Sequence, residues 1–107
     1  AVQEQPRGLA DAFIIGADPT YAYIENGAWL NDEPYGAIHR IGSDGEAKGI
    51  FAAAINYCKG QIKNLRIDTH EKNQTMRYLL AKHGFKEVGT IYIEDGSPRI
   101  AFHLVQE

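Results

Sequence analysis

A change of periodicity decides the fold of this chain, and it falls within the stretch Ile38-His39-Arg40-Ile41-Gly42-Ser43-Asp44-Gly45-Glu46-Ala47-Lys48-Gly49-Ile50-Phe51-Ala52. Over Ile38–Ile41 successive residues alternate as in a strand, which puts His39 and Ile38 on opposite faces. An apolar stripe then begins at three- and four-residue spacing and runs to Cys58, which is typical of a helix. Because Leu65–Ile67 predicts a further strand, the chain is expected to contain a parallel β-α-β crossover.

Working outward, the same two periods and the turn residues predict the other elements. The predicted strands are Ala1–Gln5, Leu9–Ala17, Tyr35–Ser43, Leu65–Asp68, Val88–Ile93 and Arg99–Val105, and the predicted helices follow the stripes Ile50–Cys58 and Met76–His83. Gly60 and Gly84 are predicted to end the helices, Thr20–Ile24 to be irregular with room for one helical turn, and Asp95-Gly96 to lie in a hairpin connection. The order predicts one domain over residues 1–107, an α/β fold of the α+β type with a mixed, mostly antiparallel twisted sheet.

The composition is that of an ordinary globular domain. The 107 residues are 44% hydrophobic and 23% charged, with 11 Lys and Arg against 14 Asp and Glu, which argues against disorder and against a basic nucleic-acid-binding face. The longest apolar run is far shorter than the roughly 20 residues of a membrane span. Cys58 is the single cysteine, so we expect no internal disulfide and a reduced, cytoplasmic compartment. The four histidines lack metal-ligand spacing, so we predict no metal.

The charge is unevenly distributed along the chain. Residues 1–47 contain two basic and eight acidic residues, whereas residues 48–107 contain nine basic and six acidic ones. The second part therefore permits a small anionic ligand, although an uneven surface without function explains the pattern equally well. Glycines in the connection 42–49 admit a ligand to the backbone, and amides at a helix N-terminus attract phosphate. The connection has neither a Walker A nor a dinucleotide-binding pattern, and an ordinary loop is an equal alternative.

Several motifs, taken in order, resemble the GNAT acetyltransferase superfamily. The run Ile38–Ser43 followed by Lys48–Phe51 resembles its acetyl-CoA-binding motif, and Leu65–His70 with Asn73–Phe85 resembles its next strand and helix. Gly89–Phe102 is similar to its closing hairpin. Within the superfamily, the chain resembles bacterial proteins with a His-Arg-Ile strand, an Arg-Ile-Asp-Thr-His strand and an Asn-x-x-Met helix, and the resemblance covers nearly the whole chain.

This resemblance implies a GNAT-like fold and an acetyl-CoA-dependent N-acetyltransferase, whose acceptor is a primary amine of a small molecule or a peptide. In the superfamily the central strand splays from its neighbour, and CoA binds backbone groups there and in the following loop. The cofactor contacts that the resemblance implies are Ile41, Ser43, Lys48, Gly49, Ile50, Phe51, Ala52 and Asn73. Acyl transfer also needs a neutral amine and an acid for the departing thiolate.

Three positions depart from the pattern of the superfamily. Glu46 stands where a basic or amide residue is usual, and Phe51 stands where a small residue is usual. Leu80 stands where many members have a tyrosine that is thought to protonate the thiolate, so another acid, a water or direct transfer is needed. The alternative function is therefore a catalytically weak or inactive CoA-binding or regulatory module with the same fold.

The sequence suggests different roles for three of the histidines. His70 follows a predicted strand and is the candidate catalytic residue, because an imidazole titrates near neutrality and can act as base or acid. Its structural alternative is a cap on the next helix or a bond to a backbone carbonyl, and this alternative is preferred because position alone gives no catalytic geometry. His39 is expected to be a hydrogen-bonded structural histidine rather than a base. His83 is expected to be a packing residue, and Cys58 to be a small buried apolar residue.

The remaining candidates lie near the predicted strand Leu65–Asp68 and in the irregular segment. Arg66 and Asp68 are expected to form an ion pair or to cap the next helix. Trp29 and Tyr35 either line an acceptor pocket or cover the core beneath the irregular segment. Tyr78 and Tyr92 could reach a substrate or pack, and the sequence favours neither.

The resemblance changes what the length of 107 residues implies. Members of the superfamily open with a strand and one or two helices that this chain lacks, so we expect it to be missing the N-terminal third of the domain. Those helices help form the acceptor site in the superfamily. The sheet edge that their absence exposes could be covered by a homodimer.

Overall fold

The computed structural model describes residues 2–3, 10–41 and 50–107, with side chains at 14–39 and 51–107. Its elements in chain order are β1 (Val2–Gln3), β2 (Ala10–Ile15), a 3-10 turn (Pro19–Tyr21), β3 (Gly36–Ile41), α1 (Ile50–Lys59), β4 (Asn64–Thr69), α2 (Gln74–Lys82), β5 (Lys86–Tyr92) and β6 (Pro98–Val105). The predicted elements therefore occur in the predicted order, including the helical turn in the irregular segment.

The described strands form one six-stranded sheet in the order β1-β2-β3-β4-β6-β5. β3 and β4 pair in parallel, as the crossover through α1 predicted. The pairs β1–β2, β2–β3, β4–β6 and β5–β6 are antiparallel. The crossover therefore places the N-terminal end of α1 next to the centre of a mixed sheet.

Both helices bury the apolar stripes that predicted them. In α1 the side chains of Phe51, Ala54, Ile55 and Cys58 are at most 1% exposed, and α2 buries Met76, Leu79 and Leu80. α1 ends at Lys59, directly before Gly60. Gly84 follows α2 with a φ of 96°, a conformation that glycine adopts without steric cost.

The core lies on both faces of the sheet, because successive strand residues point to opposite sides. On the helix face, Ile38 of β3 and Phe102 of β6 pack with the stripes of α1 and α2. On the other face, which we call the loop face, Ala37 and Ala101 pack against Tyr21 and neighbouring side chains of the segment 21–35. This segment takes the place of helices on the loop face.

A close backbone approach attaches the segment 21–35 to β5. Glu25 and Thr90 exchange two backbone hydrogen bonds of 2.8 Å as an isolated bridge. At Gly27 an added Cβ would lie 1.9 Å from the carbonyl oxygen of Val88. Only glycine permits this approach.

We expect Gly27→Ala to lower the free energy of unfolding by about 2 kcal/mol, because the methyl group forces the segment away from β5. Gly60→Ala is the control, since its Cβ would lie 3.4 Å from its nearest neighbour, the carbonyl oxygen of Tyr57. Urea unfolding of both variants measures the difference. Equal midpoints would contradict the close approach.

Candidate active site

The sheet opens between β3 and β4. Their parallel register ends at the pair Ala37 and Arg66, whereas β3 continues to Ile41 and β4 to Thr69. Beyond that pair β3 remains bonded to β2, and β4 remains bonded to β6. Backbone groups of β3 and β4 that would face each other in a continuous sheet are therefore open to a ligand.

A cavity of about 410 Å³, which we call the splay cavity, lies at this opening. Ile38, Ile67 and Met76 form its apolar wall, and His39, Asp68, Thr69 and Asn73 form its polar wall. An extended molecule with few charges suits such a mixed surface.

His39 and Asp18 form a hydrogen-bonded pair at the splay cavity. Nε2 of His39 lies 2.9 Å from Oδ2 of Asp18, with 32% of the imidazole and 9% of the carboxylate side chain exposed. Oδ1 of Asp18 accepts from the backbone N–H of Thr20 at 2.9 Å, so the carboxylate also caps the 3-10 turn. His39 is hydrogen-bonded, as the sequence predicted, and its partner comes from the loop face.

A second pair lies beside the first. The hydroxyl of Tyr21 donates to Oδ1 of Asp68 at 2.7 Å. Burial, and then the Asp68 carboxylate, raise the pKa of Tyr21 well above its usual value, so the phenol remains the donor. The Tyr21 and His39 rings are stacked, with centroids 6.4 Å apart and planes 23° from parallel. The two pairs therefore form one connected polar cluster.

A wider depression of about 710 Å³ adjoins the splay cavity and shares His39 and Asp68 with it. Its rim carries Glu94 and Asp95 from the β5–β6 connection and Arg99 from β6. Two molecules that enter from the two sides would meet at His39 and Asp68. The arrangement can therefore serve a reaction between two substrates.

Three of the predicted cofactor contacts are described in α1 and at the start of α2, and one of them, Asn73, lines the splay cavity. Asn73 lines the cavity, and its Oδ1 accepts the backbone N–H of Met76 at 3.1 Å as the N-cap of α2. Ala52 is half-buried in the first turn of α1, whereas the ring of Phe51 packs in the core on the helix face. Phe51 can therefore offer a ligand its backbone amide but not its side chain.

The other predicted contacts lie at or beyond the edge of the described residues. Ile41 ends β3 and Ile50 begins α1, and both side chains fall outside the described set. Ser43, Lys48 and Gly49 lie wholly outside the described residues.

His70, the predicted catalytic residue, is exposed in the turn before α2. Its Nδ1 accepts the backbone N–H of Lys72 at 3.1 Å. This is a backbone contact, but not one to a carbonyl, and Asn73 rather than His70 caps α2. It is not among the residues that line the splay cavity or the depression. A catalytic role for His70 stays a prediction.

Other candidates behave as the sequence indicated. The His83 ring packs against Phe51 with centroids 5.3 Å apart. Cys58 is fully buried, and burial raises the pKa of its thiol to about 11, so it is a packing residue rather than a nucleophile. Tyr78 and Tyr92 are exposed.

The expected contact between Arg66 and Asp68 is wrong, because each has a different partner. Asp68 accepts from Tyr21, and Asn73 rather than Asp68 caps α2. The Arg66 guanidinium lies between the rings of Trp29 and Tyr35, at 4.2 and 3.9 Å from their centroids. Trp29 and Tyr35 thus cover the core on the loop face, and neither lines the splay cavity or the depression.

The sequence reading missed Asp18 and Tyr21 as residues of the site. One signal was available for Asp18, because Asp before Pro-Thr is a typical capping position and puts a carboxylate at a fixed place. Its contact with His39 spans 21 residues and depends on how the segment 16–35 crosses the sheet. Local patterns do not encode that crossing.

Two features are absent from the described part of the chain. None of its helices is both long and apolar enough to cross a membrane. No three His, Cys, Asp or Glu side chains among the described residues are grouped so as to hold a metal ion.

A solved structure similar to this chain is the crystal structure of an acetyltransferase of the GNAT family from Streptococcus agalactiae 2603, with a TM-score of 0.73 and 30% sequence identity. The match covers 90% of this chain and 57% of that chain, so this chain spans a little over half the length of its relative. No protein-family model and no curated protein matches the chain. The mixed sheet with its β-α-β crossover is thus a GNAT-like acyl-CoA N-acyltransferase fold, which confirms the predicted fold class.

Proposed function

We propose that the chain is an acetyl-CoA-dependent N-acetyltransferase of the GNAT superfamily, acting on a primary amine. The observation that carries this proposal is the opening between β3 and β4 in a fold shared with a GNAT acetyltransferase. Acetyl-CoA is the first substrate in this proposal, and the amine is the second.

The geometry supports a division of the site between the two substrates. The pantetheine arm is assigned to the splay cavity, where β3 beyond Ala37 offers backbone groups that β4 does not occupy. The first amides of a helix generally have no acceptor within it, so the first turn of α1, which contains Phe51 and Ala52, is assigned to the pyrophosphate. The amine is assigned to the adjoining depression, from which it reaches the thioester at His39 and Asp68.

Protonation of the thiolate must follow a different route from the tyrosine route of many relatives. Leu80 is fully buried in the core on the helix face and has no proton to donate. The amine itself or a water can supply that proton.

Calorimetry with acetyl-CoA and with CoA, followed by thiol release over a panel of amines and peptides, tests the proposal. We expect saturable binding of both and release with at least one amine. No binding at millimolar acetyl-CoA would refute it. Binding without release on any acceptor would instead support the alternative of an inactive CoA-binding module.

A charge variant tests the placement of the pyrophosphate. We expect Ala52→Glu to weaken acetyl-CoA binding about tenfold, because a carboxylate in the first turn of α1 repels the phosphates. Asn56→Glu adds the same charge at an exposed position one turn later and is expected to bind normally. Equal weakening in calorimetry of both variants would contradict the placement.

A further inference from the structure

A histidine–aspartate pair lies where the two substrate cavities meet, and none of the predicted cofactor contacts belongs to it. His39 is one of the two residues that line both the splay cavity and the depression. The pair joins strand β3 to the 3-10 turn of the loop face across 2.9 Å. Such a position is the place where a proton must leave an amine during acyl transfer.

The hydrogen bond to Asp18 determines which imidazole nitrogen is free. A carboxylate accepts a proton, so Nε2 of His39 carries the hydrogen and Nδ1 keeps its lone pair. Among the side chains that the structure describes, none forms a hydrogen bond with Nδ1. With 32% of the side chain exposed, the ring is open to a ligand. His39 therefore has the form of a base rather than of a donor.

Asp18 is held firmly enough to orient the ring. Its Oδ1 accepts from Thr20 at 2.9 Å, and its backbone N–H donates to the hydroxyl of Tyr35 at 2.7 Å. The Tyr21 ring stacks on the imidazole, with centroids 6.4 Å apart. Three contacts thus fix the carboxylate and the ring before any substrate binds, which favours catalysis by positioning.

Resting on the proposed function, we propose that His39 is the general base that deprotonates the acceptor amine, and that Asp18 is its positioning residue. The acceptor enters as an ammonium ion, and one proton passes from its nitrogen to Nδ1 of His39. The nitrogen lone pair then attacks the thioester carbonyl, the C–N bond forms and the C–S bond breaks with its electron pair on sulfur. A second proton passes from the same nitrogen to the thiolate, which gives the amide and CoA, and the imidazolium returns its proton to water.

The same geometry predicts the kinetic effect of changing either residue. His39→Ala is expected to lower kcat/KM for the amine about 10²–10⁴-fold, measured at saturating acetyl-CoA. Asp18→Asn is expected to cause a loss of similar order, because an amide that donates to Nε2 moves the hydrogen to Nδ1. Asp32→Asn, at an exposed carboxylate of the segment 21–35, is the matched control.

Two readouts separate a base from a merely structural histidine. Added imidazole is expected to restore part of the His39→Ala activity, and the acid limb of the wild-type kcat/KM profile is expected to disappear in that variant. The titratable and charged groups that face His39 in the cluster and at the rim of the depression are Asp18, Tyr21, Asp68, Glu94, Asp95 and Arg99. All of these groups remain in the His39→Ala variant, so loss of the acid limb in that variant would identify the imidazole as its source.

The outcomes distinguish this inference from the function on which it rests. Absence of thiol release by the wild-type chain on every amine refutes the function, and the base assignment with it. A wild-type chain that is active, beside a His39→Ala variant with normal kcat/KM and an intact acid limb, overturns the base assignment alone. His39→Gln keeps a donor to Asp18 and serves if the alanine variant does not fold. Loss of the acid limb in His70→Ala instead would assign the base to His70.

Discussion

Arg66→Ala is expected to lower the free energy of unfolding by about 3–5 kcal/mol. Arg66 is 4% exposed, and its guanidinium lies between two aromatic rings, 4.2 Å from Trp29 and 3.9 Å from Tyr35. Its terminal nitrogen also donates to the carbonyl oxygen of Asn31 at 2.9 Å. A desolvated cation–π contact contributes about 2 kcal/mol, so alanine loses two of these contacts and leaves a cavity beneath the segment 21–35.

Two milder substitutions separate the charge from the packing. Arg66→Lys keeps the charge but loses the planar group that stacks between the rings. Arg66→Met keeps the apolar stem, and it also removes Nε, a buried donor without a hydrogen-bond partner among the described residues. We expect both variants to fall between the wild type and Arg66→Ala.

Trp29 is the single tryptophan, so its fluorescence reports the segment 21–35 directly. Urea unfolding followed by circular dichroism gives the global stability of each variant. We expect the fluorescence of Arg66→Ala to change already in the folded state, because the cation that covers the indole is gone. A loss of less than about 1 kcal/mol, or unchanged fluorescence, would contradict the role of the stacked guanidinium.

The sequence predicts the helices and strands of the fold but not the partners of Arg66. Elements read from local periodicity were correct, because the burial of Cys58 and the stop at Gly84 depend on residues within one or two helical turns. The parallel pairing of β3 and β4 followed from the strand–helix–strand order alone. The opening between them came from the resemblance, since no residue pattern specifies where two strands diverge.

Contacts made by the segment 16–35 were beyond prediction for a physical reason. Arg66 and Asp68 stand two residues apart on one strand, and an ion pair between them looks favourable in isolation. The rings of Trp29 and Tyr35 and the hydroxyl of Tyr21 compete for the same groups from more than 30 residues away. The path of an irregular segment has no period, so neither these partners nor the Asp18 partner of His39 could be read from the sequence.

A loss of stability in mild acid is the second large effect that we expect, and it originates at His103. This side chain is fully buried on the loop face. Its Nδ1 accepts the backbone N–H of Leu30 at 3.0 Å, and its Nε2 donates to Oδ1 of Asn64 at 3.1 Å. Burial, and then the charge of Arg66, lower its pKa to about 4. Protonation would put a second donor opposite the N–H of Leu30.

The direction of the pH dependence follows from this lowered pKa. Near pH 7 the histidine is neutral in both states, so its titration does not affect stability. As the pH falls through the ordinary value of about 6.5, the unfolded chain binds a proton that the folded chain refuses, and the unfolded state is favoured. The loss amounts to about 2 kcal/mol between pH 7 and pH 5 and levels off below pH 4 at about 3 kcal/mol.

Urea unfolding between pH 7 and pH 5 measures the effect, because most Asp and Glu side chains remain ionised there. We expect His103→Asn to be less stable than the wild type at pH 7 but to lose little further stability at pH 5. His83→Asn is the control: burial, Lys59 and Lys82 lower the pKa of His83 in the same direction, but this half-buried ring makes no contact with Leu30 or Asn64. The opposite result is that the free energy of unfolding still falls between pH 7 and pH 5 in His103→Asn but no longer does so in His83→Asn. The acid sensitivity would then belong to the packing of α2 on Phe51, and the neutral His103 would not be what holds the segment 21–35 against the sheet.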